Sequence, residues 1–145
     1  MESQAVAGFG ALLERGDIAT ATNFTPVAEV VDLGDLPEIM AKFADVTHMQ
    51  SPGAFAEKRP TTLELGEFSV EVNLLPTDPT QSASAGLPAD AIARQVRYYR
   101  VSFPDPSSAK WTFKAFVAGV KPKAPRDGAL TASVKFQPTG QPSFS

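Results

Sequence analysis

The chain has 145 residues, 43% of them hydrophobic and 20% charged, with 13 prolines, 10 phenylalanines, no cysteine and a formal net charge of −3, which is length enough for one domain with a core of its own. The missing cysteines exclude disulfide scaffolds, thiolate metal sites and thiol nucleophiles, and the single imidazole, His48, falls short of the two or more that zinc sites and iron triads ordinarily use. No stretch approaches the ~18 consecutive apolar residues of a membrane span, and Met1 to Gln4 lack the basic and apolar regions of a secretory signal, so the expectation is a chain made in a cytoplasm, without a membrane partner.

Residues 1–11 are expected to form a flexible arm. Thr25 to Leu33 is valine-rich, with Val27, Val31 and Leu33 on one face and Ala28, Val30 and Asp32 on the other, and predicts a strand ending at Gly34. Leu36, Ile39, Met40 and Phe43 recur at helical spacing, over too few residues to establish that period. Asp45 to Met49 predicts a short extended piece closed by Ser51-Pro52-Gly53. From Glu67 to Leu74 every even position is apolar and every odd one polar, the pattern of a strand with one wet face. Asp78-Pro79-Thr80-Gln81 carries a capping acid, a proline at the first helical position and a glutamine at N3, and predicts a helix start stopped by Gly86. Pro88 to Gln95 is a second short helical candidate.

Tyr99, Val101 and Phe103 alternate with Arg100 and Ser102, and the turn residues Pro104 to Ser108 lead into Lys110 to Val120, which predicts a hairpin. Along Lys110 to Val120, Trp111, Phe113, Ala115 and Val117 share a face; Phe116 and Ala118 make the far end apolar on the other side too, the pattern of a segment covered on both faces. After a turn at Pro122 to Gly128, Leu130, Ala132, Val134 and Phe136 predict a further strand antiparallel to its predecessor. Residues 138–145 hold two prolines and predict an arm rather than a central strand. The sum is a single mainly β domain, an antiparallel sandwich or barrel with one or two short flanking helices.

The residues that could carry chemistry are few. His48 has Asp45 and Ser51 nearby, but extended backbone puts neighbours on opposite faces, so a structural histidine is expected. Glu67 and Glu71 share a wet strand face, with Glu57 and Glu64 near them. Strand positions i and i+4 lie ~13 Å apart, too far for the paired carboxylates of a glycosidase at ~5–9.5 Å. Arg15-Gly16-Asp17 reads as a turn. Gly8-Phe9-Gly10 lacks the rest of a phosphate loop. Lys121, Lys123 and Arg126, the nearest approach to a cationic cluster, are separated by prolines and read as a solvated turn rather than a nucleic-acid grip. Neither an enzyme nor a cofactor is expected. A binding module for carbohydrate or peptide, with Trp111, Tyr98 and Tyr99 as a stacking platform, is the alternative.

The ordered set of segments resembles the major tail tube proteins of long-tailed, non-contractile bacteriophages. It is carried by Leu13 to Asp17, Phe24 to Val30, Asp45 to Gly53, Gly66 to Asn73, Pro76 to Gln81, Phe103-Pro104-Asp105, Trp111 to Val117, Ala124-Pro125, Leu130 to Val134 and Thr139 to Pro142. The resemblance implies a small β-sandwich or barrel with a flanking helix and no enzyme activity. It also implies six copies closing into a ring and rings stacking into a hollow tube for DNA ejection, within a virion assembled in a bacterial cytoplasm. Tape measure, distal tail and tail terminator proteins are the partners it implies, with DNA passing unbound. Where the family has a turn-rich segment, Leu36 to Phe43 is apolar, which makes Leu36, Ile39, Met40 and Phe43 the candidate inter-ring loop. Six copies at −3 apiece give roughly −18 per ring, a wall that repels DNA, and Glu67 and Glu71 are the candidate lumen-facing residues.

Overall fold

The computed structural model describes residues 2, 3, 5 and 7–145; the expected arm at 1–11 lies partly outside the described residues. The described strands are β1 (Leu12–Arg15), β2 (Thr25–Pro26), β3 (Val30–Asp32), β4 (Ile39–Asp45), β5 (Lys58–Leu65), β6 (Phe68–Asn73), β7 (Val96–Ser102), β8 (Lys110–Lys123) and β9 (Thr131–Phe144), with one helix, α1 (Leu87–Ala93). Seven strands form an antiparallel sheet in the order β2-β1-β7-β8-β9-β6-β3, curled into half a barrel, and β4 and β5 form a separate two-stranded ribbon. The mainly β antiparallel class expected from alternation is the one observed.

The segment Thr25 to Leu33, expected as one strand, is two. β2 pairs with β1 at one edge of the sheet and β3 with β6 at the other, so residues 27–29 cross the mouth of the half-barrel. Their backbone is satisfied by the turn that follows β6: the Ala28 amide donates to Thr80 Oγ1 at 3.2 Å, and the Ala28 carbonyl accepts from Gln81 Nε2 at 2.7 Å. Glu29 sits at φ 48°, a left-handed turn that no continuous strand contains, and Val31 is exposed as a result. Gln81 also accepts from the Leu75 amide at 2.9 Å. Because its side chain is spent on these two bonds, it does not complete a capping box, and the helix expected at Asp78 is a single turn with Ser82 N donating to Asp78 O at 2.8 Å. The second helical candidate is α1. Gly86 precedes it where a Cβ would lie 2.5 Å from the Gln81 and Ser82 amide nitrogens, a contact only glycine avoids.

The core lies on the concave face. Leu13, Phe68, Val70, Val72, Tyr99, Val101, Phe113, Ala115, Val134 and Phe136 are buried there, with Leu87 of α1 closing over them. Phe136 is the hub, stacked on Phe68 at 5.1 Å and edge-on to Tyr99 at 5.0 Å between ring centroids. Each such aliphatic or aromatic side chain contributes about 1.5–3 kcal/mol on burial. β6 reproduces the expected alternation, with Ser69 and Glu71 outward. In β8 a register shift between Val117 and Gly119 re-aims the chain, so Ala118 is exposed and Phe116 only half-buried; the far end is not covered on both faces.

Two further expectations are corrected. Residues 138–145, read as an arm, continue β9 to Phe144, pairing with β8 as far as Trp111. The prolines are tolerated because β6 pairs with β9 only from Thr131 to Phe136, so beyond that point β9 is an edge strand, where a missing N–H costs little. Leu36, Ile39, Met40 and Phe43 form neither a helix nor a loop as a group: Ile39, Met40 and Phe43 belong to β4, paired with β5 from Ile39↔Leu65 to Asp45↔Lys58. Leu36 precedes the ribbon, half-buried. The apolar residues that mimic a helical period here alternate, with an irregularity between Ala41 and Phe43, along an extended ribbon.

Candidate assembly interface

Four surfaces stand out once the core is assigned. The convex, open face of the sheet bears Glu14, Arg100, Ser102, Lys114, Ser133, Lys135 and Glu71. Its best-ordered cluster is on β1 and β7: Glu14 and Arg100 face each other in register, Arg100 donates to Glu14 Oε2, and Ser102 Oγ donates to Glu14 Oε1 at 2.6 Å. Burial alone would raise the Glu14 carboxyl, but the hydrogen bonds from Arg100 and Ser102 and the charges of Arg100 and Lys110 outweigh it and hold it below its ordinary value. Glu67 lies just before β6, exposed, 3.7 Å from Lys135 Nζ. Glu71 sits in one row with Ser133 of β9 and Lys121 of β8. The two predicted acids therefore share one open face, interleaved with lysines rather than forming an acid-only wall.

The inner side of the same strands holds a different ion cluster. Asp90 of α1, 3% exposed, accepts from Arg15 Nε at 2.8 Å, from an Arg15 terminal nitrogen at 3.0 Å and from Arg97 at 3.2 Å. Arg15 donates as well to the Ala85 carbonyl, and Arg97 to the Gly16 carbonyl. The Arg15-Gly16-Asp17 tripeptide is thus tied into the fold, Gly16 N donating to Tyr98 O at 2.8 Å. Burial pushes the Tyr99 phenol well above its ordinary value, and Asp90 adds to the shift. Nothing in the spacing of Arg15, Asp90 and Arg97 announces that they meet; only the strand order does.

The third surface is the β4–β5 ribbon. Ile39, Phe43 and Leu63 are more than half exposed on it, and Met49 and Phe55 project from its end, Met49 fully. Lys58 Nζ covers the Phe43 ring at 4.8 Å, and Lys42 lies 3.5 Å from Glu64. At the ribbon end, His48 Nδ1 accepts from the Gln50 amide and His48 Nε2 lies 3.3 Å from Glu57, which also takes the Ser51 hydroxyl at 2.6 Å. The acid binds the serine directly, and the imidazole does not stand between them, so the arrangement closes a turn and builds no nucleophile.

The fourth surface is a groove of about 690 Å³ at the end of the sheet where β7 turns into β8, lined by residues 7–12, residues 30–34, Leu36 and Phe103 to Asp105. Asp105 accepts from the Ser107 hydroxyl and the Ala109 amide, which hold it below the ordinary carboxylate value. Trp111, Tyr98 and Tyr99 do not come together as a stacking platform: Tyr99 is fully buried, Tyr98 lies on the opposite face of β7, and Trp111 makes T-shaped contacts with Phe103 and Phe144. Among the described residues no group of three or more His, Cys, Asp or Glu is placed to hold a metal.

A family model described as "Lambda phage tail tube protein, TTP" matches residues 15–145. The chain belongs to that family. It is accordingly a structural tail tube protein and not an enzyme. No curated protein matches it. Among solved structures it is similar to a chain of the virion of a native gene transfer agent particle, at 16% identity and a TM-score of 0.74, over 97% of this chain and 99% of that one. A chain from the tail of an empty gene transfer agent particle, refined helically with C6 symmetry, gives 17% identity and a TM-score of 0.73 over the same shares. A chain from the six-fold symmetrised baseplate of the anti-feeding prophage gives 12% identity and 0.73, over 100% of this chain and 97% of that one. These three chains share the fold, and they belong to a virion, a tail and a baseplate of phage-like particles.

Proposed function

We propose that six copies of this tail tube protein close into a ring and that rings stack into a hollow tube in the tail of a phage or phage-like particle, through which DNA leaves the capsid. The observation that carries this reading is surface in excess. The chain exposes 9691 Å², against about 7,200 Å² for a compact monomer of its mass. Roughly 2,500 Å² of additional surface is what a subunit with neighbours on several sides presents, and the ribbon, whose residues 39–64 are nearly all exposed, is among the elements that present it. A monomer would gain nothing from the exposed Ile39, Phe43 and Met49 on that ribbon.

In this arrangement Ile39, Met40 and Phe43 of β4, with Leu36 at its base, contact the adjacent ring, and the open sheet face lines the channel with Glu67 and Glu71 on it. The flanking partners are tape measure, distal tail and tail terminator proteins, and assembly takes place in the host bacterial cytoplasm. Purified chain examined by negative-stain electron microscopy, with mass measured by analytical ultracentrifugation, tests the reading. Six-fold rings or tubes are expected; a chain that stays monomeric at millimolar concentration overturns it.

A further inference from the structure

The end of β8, Lys121 to Lys123, and the turn at residues 124–130 that joins it to β9 are all exposed. They carry the cations Lys121, Lys123 and Arg126 against a single acid, Asp127, and between these stand Pro122, Ala124 and Pro125. An exposed hairpin end with one proline in its strand and one in its turn loses little conformational freedom when it docks. At the far end of the same strand, about 46 Å away for 14 residues of extended chain, lies the groove between the amino-terminal segment, residues 30–36 and the β7–β8 turn. Its walls include Leu33, Leu36 and Phe103, half-buried, and Val31, exposed. Its rim carries Asp32 and Asp105, with the exposed Asp35 beside it.

The geometry points to a contact between unlike ends of two copies. The β8–β9 turn of one subunit seats in the groove of a second, its prolines and Ala124 against Leu33, Leu36 and Phe103, its cations against Asp32, Asp35 and Asp105. Charge complementarity selects this occupant: the turn is net positive and the rim is acidic. The two surfaces lie at opposite ends of the sheet, so the contact is heterologous and propagates along the strand direction. In the stacked-ring arrangement we assign it to the contact between one layer of subunits and the next. The inference rests on the stacked-ring reading and adds to it the pair of surfaces that meet.

The chain has no cysteine, which allows a clean test. Val31→Cys and Ala124→Cys variants, each with a tag of different mass, are mixed, assembled and oxidised, then separated without reductant. A mixed disulfide at least tenfold above the homodimeric products is expected in assembled material. The triple variant Lys121→Glu, Lys123→Glu, Arg126→Glu should stay folded by circular dichroism and lose at least tenfold in tube yield. Asp32→Asn, Asp35→Asn, Asp105→Asn, which keeps the side-chain oxygens that accept the Gly34 and Ala109 amides, should lose tubes similarly. Tubes of normal length that give no mixed disulfide, or charge-reversed chains that stack as wild type does, overturn this contact and leave the tube reading standing. A wild-type chain that never assembles overturns both.

Discussion

Replacing Asp90 by alanine should be among the most damaging single changes available outside the apolar core. The carboxylate is 3% exposed and takes three hydrogen bonds from two guanidinium groups, whose side chains are each 15% exposed. Asp90→Ala leaves both cations in a poorly solvated site without a counter-charge, and removing one partner of a buried pair costs about 3–5 kcal/mol. Against a total of roughly 5–15 kcal/mol for a domain, and at about 3 °C per kcal/mol for this length, the melting temperature should fall by about 10–15 °C. α1 has seven residues, well under the ~12–15 at which an isolated helix becomes even marginal, so its amides should lose hydrogen-exchange protection first. Guanidinium unfolding of the monomer, with Lys135→Ala as the exposed-pair control at about 0–1 kcal/mol, measures the difference. A loss below about 1 kcal/mol for Asp90→Ala would refute the claim that this cluster fastens the helix to the sheet.

Three other outcomes follow from the same structure. Glu14 is held below its ordinary value of 4.5 in the folded state, so its contribution is full above that pH and is lost as pH falls through the folded value. The stability gap between wild type and Glu14→Gln should therefore be widest near pH 7 and shrink below about pH 4.5, as urea titrations at pH 7 and pH 3 would show. Val70, 1% exposed, should not tolerate Asp, which buries an unpaired charge, whereas Ser69→Asp should leave soluble yield and the unfolding midpoint unchanged within about 0.5 kcal/mol. Glu67→Lys with Glu71→Lys should leave folding nearly intact, since both side chains are exposed, and should give tubes that retain DNA in low salt and release it as salt rises; filter binding that shows no retention would remove these acids from the channel.

Legibility in the sequence followed periodicity. Phe68, Val70 and Val72 could be placed inside because a one-residue period error would have exposed all of them, and the β7–β8 hairpin was legible from Pro104 to Ser108. The ribbon was not, because Ile39, Met40 and Phe43 belong to a two-stranded element with no core of its own, so no buried face imposes a period on them. The break at Ala28 and Glu29 was hidden because its hydrogen bonds go to Thr80 and Gln81, 52 and 53 residues further along the chain and beyond four strands. Of the assembly surfaces, the acids and the apolar run were visible as residues. The groove required Leu33 and Leu36, in the connection from β3 to β4, to be brought against Phe103 in the connection from β7 to β8, and only then did the basic turn acquire a counterpart.

The second half of β9 bears on a hazard of a different kind. A chain that exposes a long strand edge invites copies of itself to add strand upon strand into fibres. Between residues 137 and 144 one side of β9 has no partner strand in the sheet, yet Pro138 and Pro142 remove two donors from it, Gly140 adopts φ 78°, and the base of the ribbon at Ile39, Leu63 and Leu65 lies alongside. A straight incoming strand finds an interrupted row of donors on a kinked template. The residues that made this segment look like a loose tail are the ones that make its open edge a poor template for strand addition.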